Sequence, residues 1–141
     1  VFGNGTSISG SSTAAYSEIQ NQLRASTMTG MLTRIEKTAK VIQYVDKTDS
    51  GEITNWYAYR VNGKPFAMKD SDRLYFLKDR EVFARVSEKY IAMKSGNSAM
   101  LAEIAHREEK MIAAYGFSMY PTDSEMEKLV PLLDSYFARI K

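Results

Sequence analysis

KVIQYVDKTDSGEITNWYAYRVNGKPFAMK, residues 40–69, is the stretch whose reading decides the fold. Val, Ile, Tyr and Trp occur in it at strand density, and Asp49-Ser50-Gly51 and Asn62-Gly63 interrupt them with turn residues. Asn62-Gly63 is the sharper signal. A two-residue hairpin turn holds positive φ at both centres, and Asn-Gly adopts that conformation at the least cost. The stretch therefore predicts a three-stranded antiparallel meander with strands near 40–46, 52–61 and 65–69. The competing reading carries the preceding helix through Val45 and leaves a single hairpin.

Helical patterns flank the meander. Upstream, Ser12 or Thr13 can cap a helix starting at Ala14, and Tyr16, Ile19, Leu23, Met31, Ile35 and Ala39 form one apolar stripe. The residues ASTMTG at 25–30 lower helix propensity and predict a bend or break. Downstream, Asp70, Ser71 or Asp72 can cap a helix burying Phe76, Phe83, Val86, Tyr90 and Met93, with Gly96 as its stop. Asn97 or Ser98 starts the next, with Leu101, Ile104, Met111, Ile112 and Tyr115 on one face and Gly116 at its end. Thr122 and Glu125 make a capping box ahead of Met126, Leu129, Val130, Leu133, Tyr136, Phe137 and Ile140, a run kinked at Pro131. The expected class is α+β: an N-terminal helix, a small three-stranded antiparallel meander and three C-terminal helices. The expected organisation is a flexible Gly/Ser/Thr-rich tail over residues 1–13 and one globular domain over 14–141.

Composition narrows the function classes. Hydrophobic residues at 44% and charged residues at 26% are globular values. The net charge of +2, from 19 basic and 17 acidic residues, is too small to point to nucleic acid or an anionic membrane. The chain has no cysteine, which excludes disulfides, thiolate nucleophiles, iron–sulfur clusters and cysteine-ligated zinc. No apolar run approaches the ~20 residues of a membrane-spanning helix. The chain starts at Val1, and its first thirteen residues have the composition of a tether in an exported bacterial protein. A periplasmic or otherwise exported location is thus expected ahead of a cytoplasmic one, although a cut boundary yields the same composition.

Three features carry candidate chemistry. DKTDSGEITNWY, residues 46–57, has the skeleton of a calcium-binding loop, with Asp46, Thr48, Ser50, Glu52, Thr54 and Tyr57 at the ligand positions. Tyr57 stands where a bidentate Glu must close the shell, and strand rather than helix follows. The expectation is a β-turn around Thr48-Asp49-Ser50-Gly51 and no metal. His106 is the single histidine, so a two-histidine metal site is impossible within the chain, and helical spacing puts it opposite the apolar stripe. Glu108, four residues from Ile104 and from Ile112, falls inside that stripe. Buried alone it would cost several kcal/mol or take up a proton, so it should pair with Arg or Lys or border a cleft. No second carboxylate can be assigned to it.

NWYAYR, residues 55–60, is the densest aromatic stretch. Alternation sets Tyr57 and Tyr59 on one face and Trp56 with Ala58 and Arg60 on the other. Trp56, Tyr57, Tyr59 and Arg60 are the interface candidates, because Trp, Tyr and Arg are enriched where binding energy concentrates. The bland reading makes one face core and the other a surface covered by helices. No phosphate-binding loop, zinc-protease motif or nucleophile elbow is present. The expected function is cofactor-free, non-catalytic binding of another protein or peptide, tethered at a bacterial envelope. The alternatives are a cofactor-independent enzyme using a carboxylate such as Glu108, and single-stranded nucleic-acid binding by the aromatic strand beside Arg60, Lys64 and Lys69.

Overall fold

The computed structural model describes residues 10–45 and 51–139. Along them run α1 (Gly10–Arg24), α2 (Thr27–Thr38), β1 (Lys40–Val45), β2 (Ile53–Val61), β3 (Lys64–Lys69), α3 (Asp70–Leu77), α4 (Asp79–Ser95), α5 (Ser98–Tyr115) and α6 (Asp123–Arg139). The α+β class and the helix–meander–helix order are those expected.

Two expected helices are subdivided. The first starts at Gly10 rather than Ala14 and breaks at Ser26, whose hydroxyl accepts from the Thr29 N–H at 3.2 Å and so caps α2. The helix expected from residue 70 to Gly96 breaks at Lys78, which is extended (φ −60°, ψ 127°) and caps α4 with no side-chain bond. The remaining ends follow the sequence. Asn97 accepts from the Ala99 and Met100 N–H groups at 3.0 and 3.1 Å. Glu125 N–H donates to the Thr122 hydroxyl at 3.1 Å while the Glu125 carboxylate accepts from Thr122 N–H at 2.9 Å, completing the capping box. Pro131 lies inside α6.

The sheet has the order β1-β2-β3 and is antiparallel throughout. Its turn at Asn62-Gly63 has φ of 51° and 80°, as the two-residue hairpin requires. The pairing is staggered: β1 covers Ile53–Ala58 of β2 and β3 covers Trp56–Val61, so only Trp56, Tyr57 and Ala58 have partners on both sides. The β1–β2 hairpin consequently projects as a two-stranded arm. Asp46, Thr48 and Ser50 of the calcium-loop skeleton, and most of the turn expected there, lie outside the described residues. The segment that follows is strand β2 from Ile53, not the helix that a calcium loop requires.

The core lies between one face of the sheet and the helices. α1 lies along α6, and Ile19, Leu23, Leu32, Ile35, Met68, Phe83, Val86, Met126, Leu133 and Tyr136 are buried together. α5 packs mainly on α4 and β3, and its last residue Tyr115 reaches Phe76 of α3 and the Tyr59 hydroxyl of β2. Of its expected apolar face Ile104 is buried, whereas Leu101 and Ile112 are 39% and 49% exposed because no described element covers them. Met93, expected on the buried side of α4, is likewise exposed. Among the described residues no helix is long and apolar enough to cross a membrane.

Candidate functional site

The interface candidates divide between the two faces of the sheet. Tyr57 and Tyr59 belong to the face that packs on the helices. The Tyr59 hydroxyl donates to the Tyr115 carbonyl at 2.6 Å, and its ring stacks on Phe66 with centroids 6.1 Å apart. Burial pushes its pKa well above the usual phenol range. The Tyr57 ring lies 5.5 Å from the Arg73 guanidinium, and desolvation, then the Asp70 carboxylate, raise its pKa. Arg73 is itself buried and pairs with Glu36 at 3.2 Å and Asp70 at 3.3 Å, joining α2 to α3 beneath the sheet. Both tyrosines therefore fasten the sheet to the helical layer.

Trp56 and Arg60 belong to the opposite face, which alternation builds from Lys40, Ile42, Tyr44, Thr54, Trp56, Ala58, Arg60, Pro65, Ala67 and Lys69. Trp56 is its centre. Tyr44 meets the indole edge-on, with centroids 5.6 Å apart, and Lys69 Nζ stands 5.7 Å from the ring centroid. Ile42 pairs directly with Trp56 in the β1–β2 register. The indole Nε1 is buried without a hydrogen-bond acceptor. Arg60 donates to the Gly63 carbonyl at 2.8 Å, bracing the hairpin turn. Lys40, Arg60 and Lys69 give the face positive charge, and none of its ten residues is acidic. In the arm Tyr44 of this face is 51% exposed, while Val41, Val45 and Ile53, on the Tyr57 side, are 53–68% exposed. β1 touches β2 and no other described element. The sequence offers Lys69 only as a cation beside the aromatic strand and does not point to Tyr44 or Ile42, since their approach to Trp56 depends on cross-strand register rather than on periodicity.

Glu108 is paired. Its carboxylate lies 3.6 Å from Lys89 Nζ and accepts from the Ser118 hydroxyl at 3.4 Å. The buried Lys89 also donates to the Pro121 carbonyl at 2.7 Å and lies 3.5 Å from Asp123, so it pins the loop between α5 and α6 onto α4. Lys89 was overlooked, though its place three residues from both Val86 and Ala92 puts it on the buried side of α4. Because the carboxylate remains partly solvated, Glu108→Gln should change unfolding free energy by less than ~1 kcal/mol, measured by urea titration.

His106 is exposed on α5. Its neighbour Arg107 bonds Glu88 at 2.5 Å and Glu103 at 2.6 Å, and the Tyr120 hydroxyl donates to Glu88 at 2.5 Å. Glu88, Arg107 and Tyr120 border an open cleft of about 490 Å³ with Tyr75, Phe76 and Arg85. Arg85 is committed to the Phe76 and Met119 carbonyls at 2.8 and 3.2 Å, so the cationic and anionic groups of the cleft satisfy partners within the fold. Among the described residues no group of three or more His, Asp or Glu is placed to hold a metal ion.

A family model described as Large polyvalent protein-associated domain 1 matches residues 67–141, from the middle of β3 to the end of the chain. Neither the curated proteins nor the solved structures contain a match.

Proposed function

The chain belongs to the family of the large polyvalent protein-associated domain 1, and from that premise we propose that it is a non-catalytic module that binds a protein partner through the Trp56 face of its sheet. The observation that carries this reading is an indole flanked by Tyr44, Ile42 and Lys69 on the face opposite the one that packs Tyr57 and Tyr59 against the core. Large aromatic side chains beside cations supply binding energy at protein interfaces. Lys40 and Arg60 on this face favour a partner segment that carries apolar and acidic side chains. The pairing of Glu108 with Lys89 supports a structural task for that carboxylate, and retained capture in Glu108→Gln separates this reading from an acid–base enzyme.

Trp56 is the only tryptophan, beside nine tyrosines, so emission excited where tyrosine does not absorb reports on this site alone. Extended peptides mixing acidic and apolar residues should shift its emission and shield it from acrylamide. Trp56→Ala should weaken their binding by ~2 kcal/mol or more, about thirty-fold, with little change in thermal midpoint. The reading is wrong if such peptides leave the emission untouched while single-stranded oligonucleotides quench it with a log–log salt slope of about −0.7 per phosphate. Whether the partner is met at a bacterial envelope depends on the parent protein, and fractionation of cells expressing that protein tests it.

A further inference from the structure

We propose that β1 pairs antiparallel with β1 of a second copy of the chain, the two-fold axis passing through Gln43, to join two three-stranded sheets into one of six strands. The two edges of the sheet differ. β3 is flanked by α3 and α5 and carries Pro65, which has no N–H to offer. Among the described residues β1 has a neighbour on one side only, so a row of its backbone N–H and C=O groups faces outward. Natural edges are guarded by proline, bulges or inward charge, and Val41-Ile42-Gln43-Tyr44-Val45 has none of these.

The strand is complementary to itself in one register. A two-fold axis perpendicular to a sheet keeps like faces together, so it must pass through a residue position rather than between two. Centred on Gln43, it sets Val41 against Val45 of the second copy and Ile42 against Tyr44 of the second copy. The first pair lies on the Tyr57 side and the second on the Trp56 side. The two Gln43 amides face each other, each with a donor and an acceptor for its mate. Val41, Tyr44 and Val45, at 53%, 51% and 64% exposure, all gain apolar neighbours. Centring on Ile42 instead opposes Gln43 to Val41 and leaves Val45 without a partner. The charges agree: Lys40 and its symmetry mate lie six residues apart along the strands, about 20 Å, and do not repel at contact. Pairing of five residues is small against the ~1,200 Å² or more of a stable interface, so the dimer forms reversibly with concentration.

The chain has no cysteine, so a single introduced thiol tests the register. Opposed residues of an antiparallel pair lie about 4.5–5.5 Å apart at Cα, within disulfide reach. Gln43→Cys should form a covalent dimer under mild oxidation. Val41→Cys mixed with Val45→Cys should cross-link several-fold more than either alone. In sedimentation equilibrium the unmodified chain should pass from monomer to dimer as concentration rises. Gln43→Lys, which opposes two ammonium groups at an exposed position, should raise the dissociation constant at least tenfold with an unchanged circular dichroism spectrum. A monomer at every concentration, or Gln43→Cys linking no faster than Ala105→Cys on the exposed side of α5, overturns the proposal. Dimerisation is read with no peptide present, so its failure leaves the Trp56 reading intact.

Discussion

Tyr136→Ala should lower the unfolding free energy by about 3–5 kcal/mol, the range for deleting a buried ring, with the urea midpoint falling accordingly. Tyr136 has no exposed surface, and its ring lies 5.8 Å from Tyr16, 5.8 Å from Phe83 and 5.3 Å from Phe137. Those contacts join α1, α4 and α6, so the void left by truncation cannot close by moving one helix alone. Tyr136→Phe keeps the ring and should lose less than ~1.5 kcal/mol. Equal losses in the two variants would mean that the hydroxyl, not the packing, holds this junction.

Gly116→Ala is the second large effect, at ~2–4 kcal/mol. Gly116 ends α5 with φ of +90°, where a side chain costs about 1–2 kcal/mol. A Cβ built there meets Phe66 and Val61 side-chain carbons at 2.8 Å, an overpacking that adds roughly 1–3 kcal/mol. Phe66 has little room to retreat, since it stacks on Tyr59, which is bonded to the Tyr115 carbonyl one residue before the glycine. Gly96 supplies the control: it ends α4 with φ of +64° and has nothing within 4 Å of the added atom. Gly96→Ala should therefore cost only the conformational part. If chemical denaturation gives the two substitutions the same loss, the close approach at Gly116 is not what matters.

Much of this fold is written in local signals. The strands of residues 40–69 could be read because alternation and an Asn-Gly turn are short-range properties, and Asn97, Gly96, Gly116 and Thr122-Glu125 end or begin helices by local hydrogen bonding and backbone freedom. The break at Lys78 left no such mark, having neither glycine nor proline nor a side-chain cap. Periodicity named the apolar face of α5 but not what lies above it, and Ile112 is half exposed for that reason. The partner of Glu108 was beyond reach because Lys89 sits on another helix. At the candidate site, alternation already separated Trp56 from Tyr57 and Tyr59. The meeting of Trp56 with Tyr44 and Lys69 required the pairing between strands.

The family match starts at Ala67, halfway along β3, and this sets sequence modularity apart from folding modularity. A piece cut there would strip the rest of β3 of β2, its hydrogen-bonding strand, and would take from Tyr136 the Tyr16 ring and from α6 the helix that lies along it. The segment before the cut would lose in turn Phe83, Val86 and Leu133, with which its own Ile19 and Leu32 are buried. The two pieces stand to each other as the halves of a split reporter, each holding part of one hydrophobic interior. The matched stretch therefore carries an obligation: whatever precedes it in the chain must supply a strand for its first residues and a helix for its last.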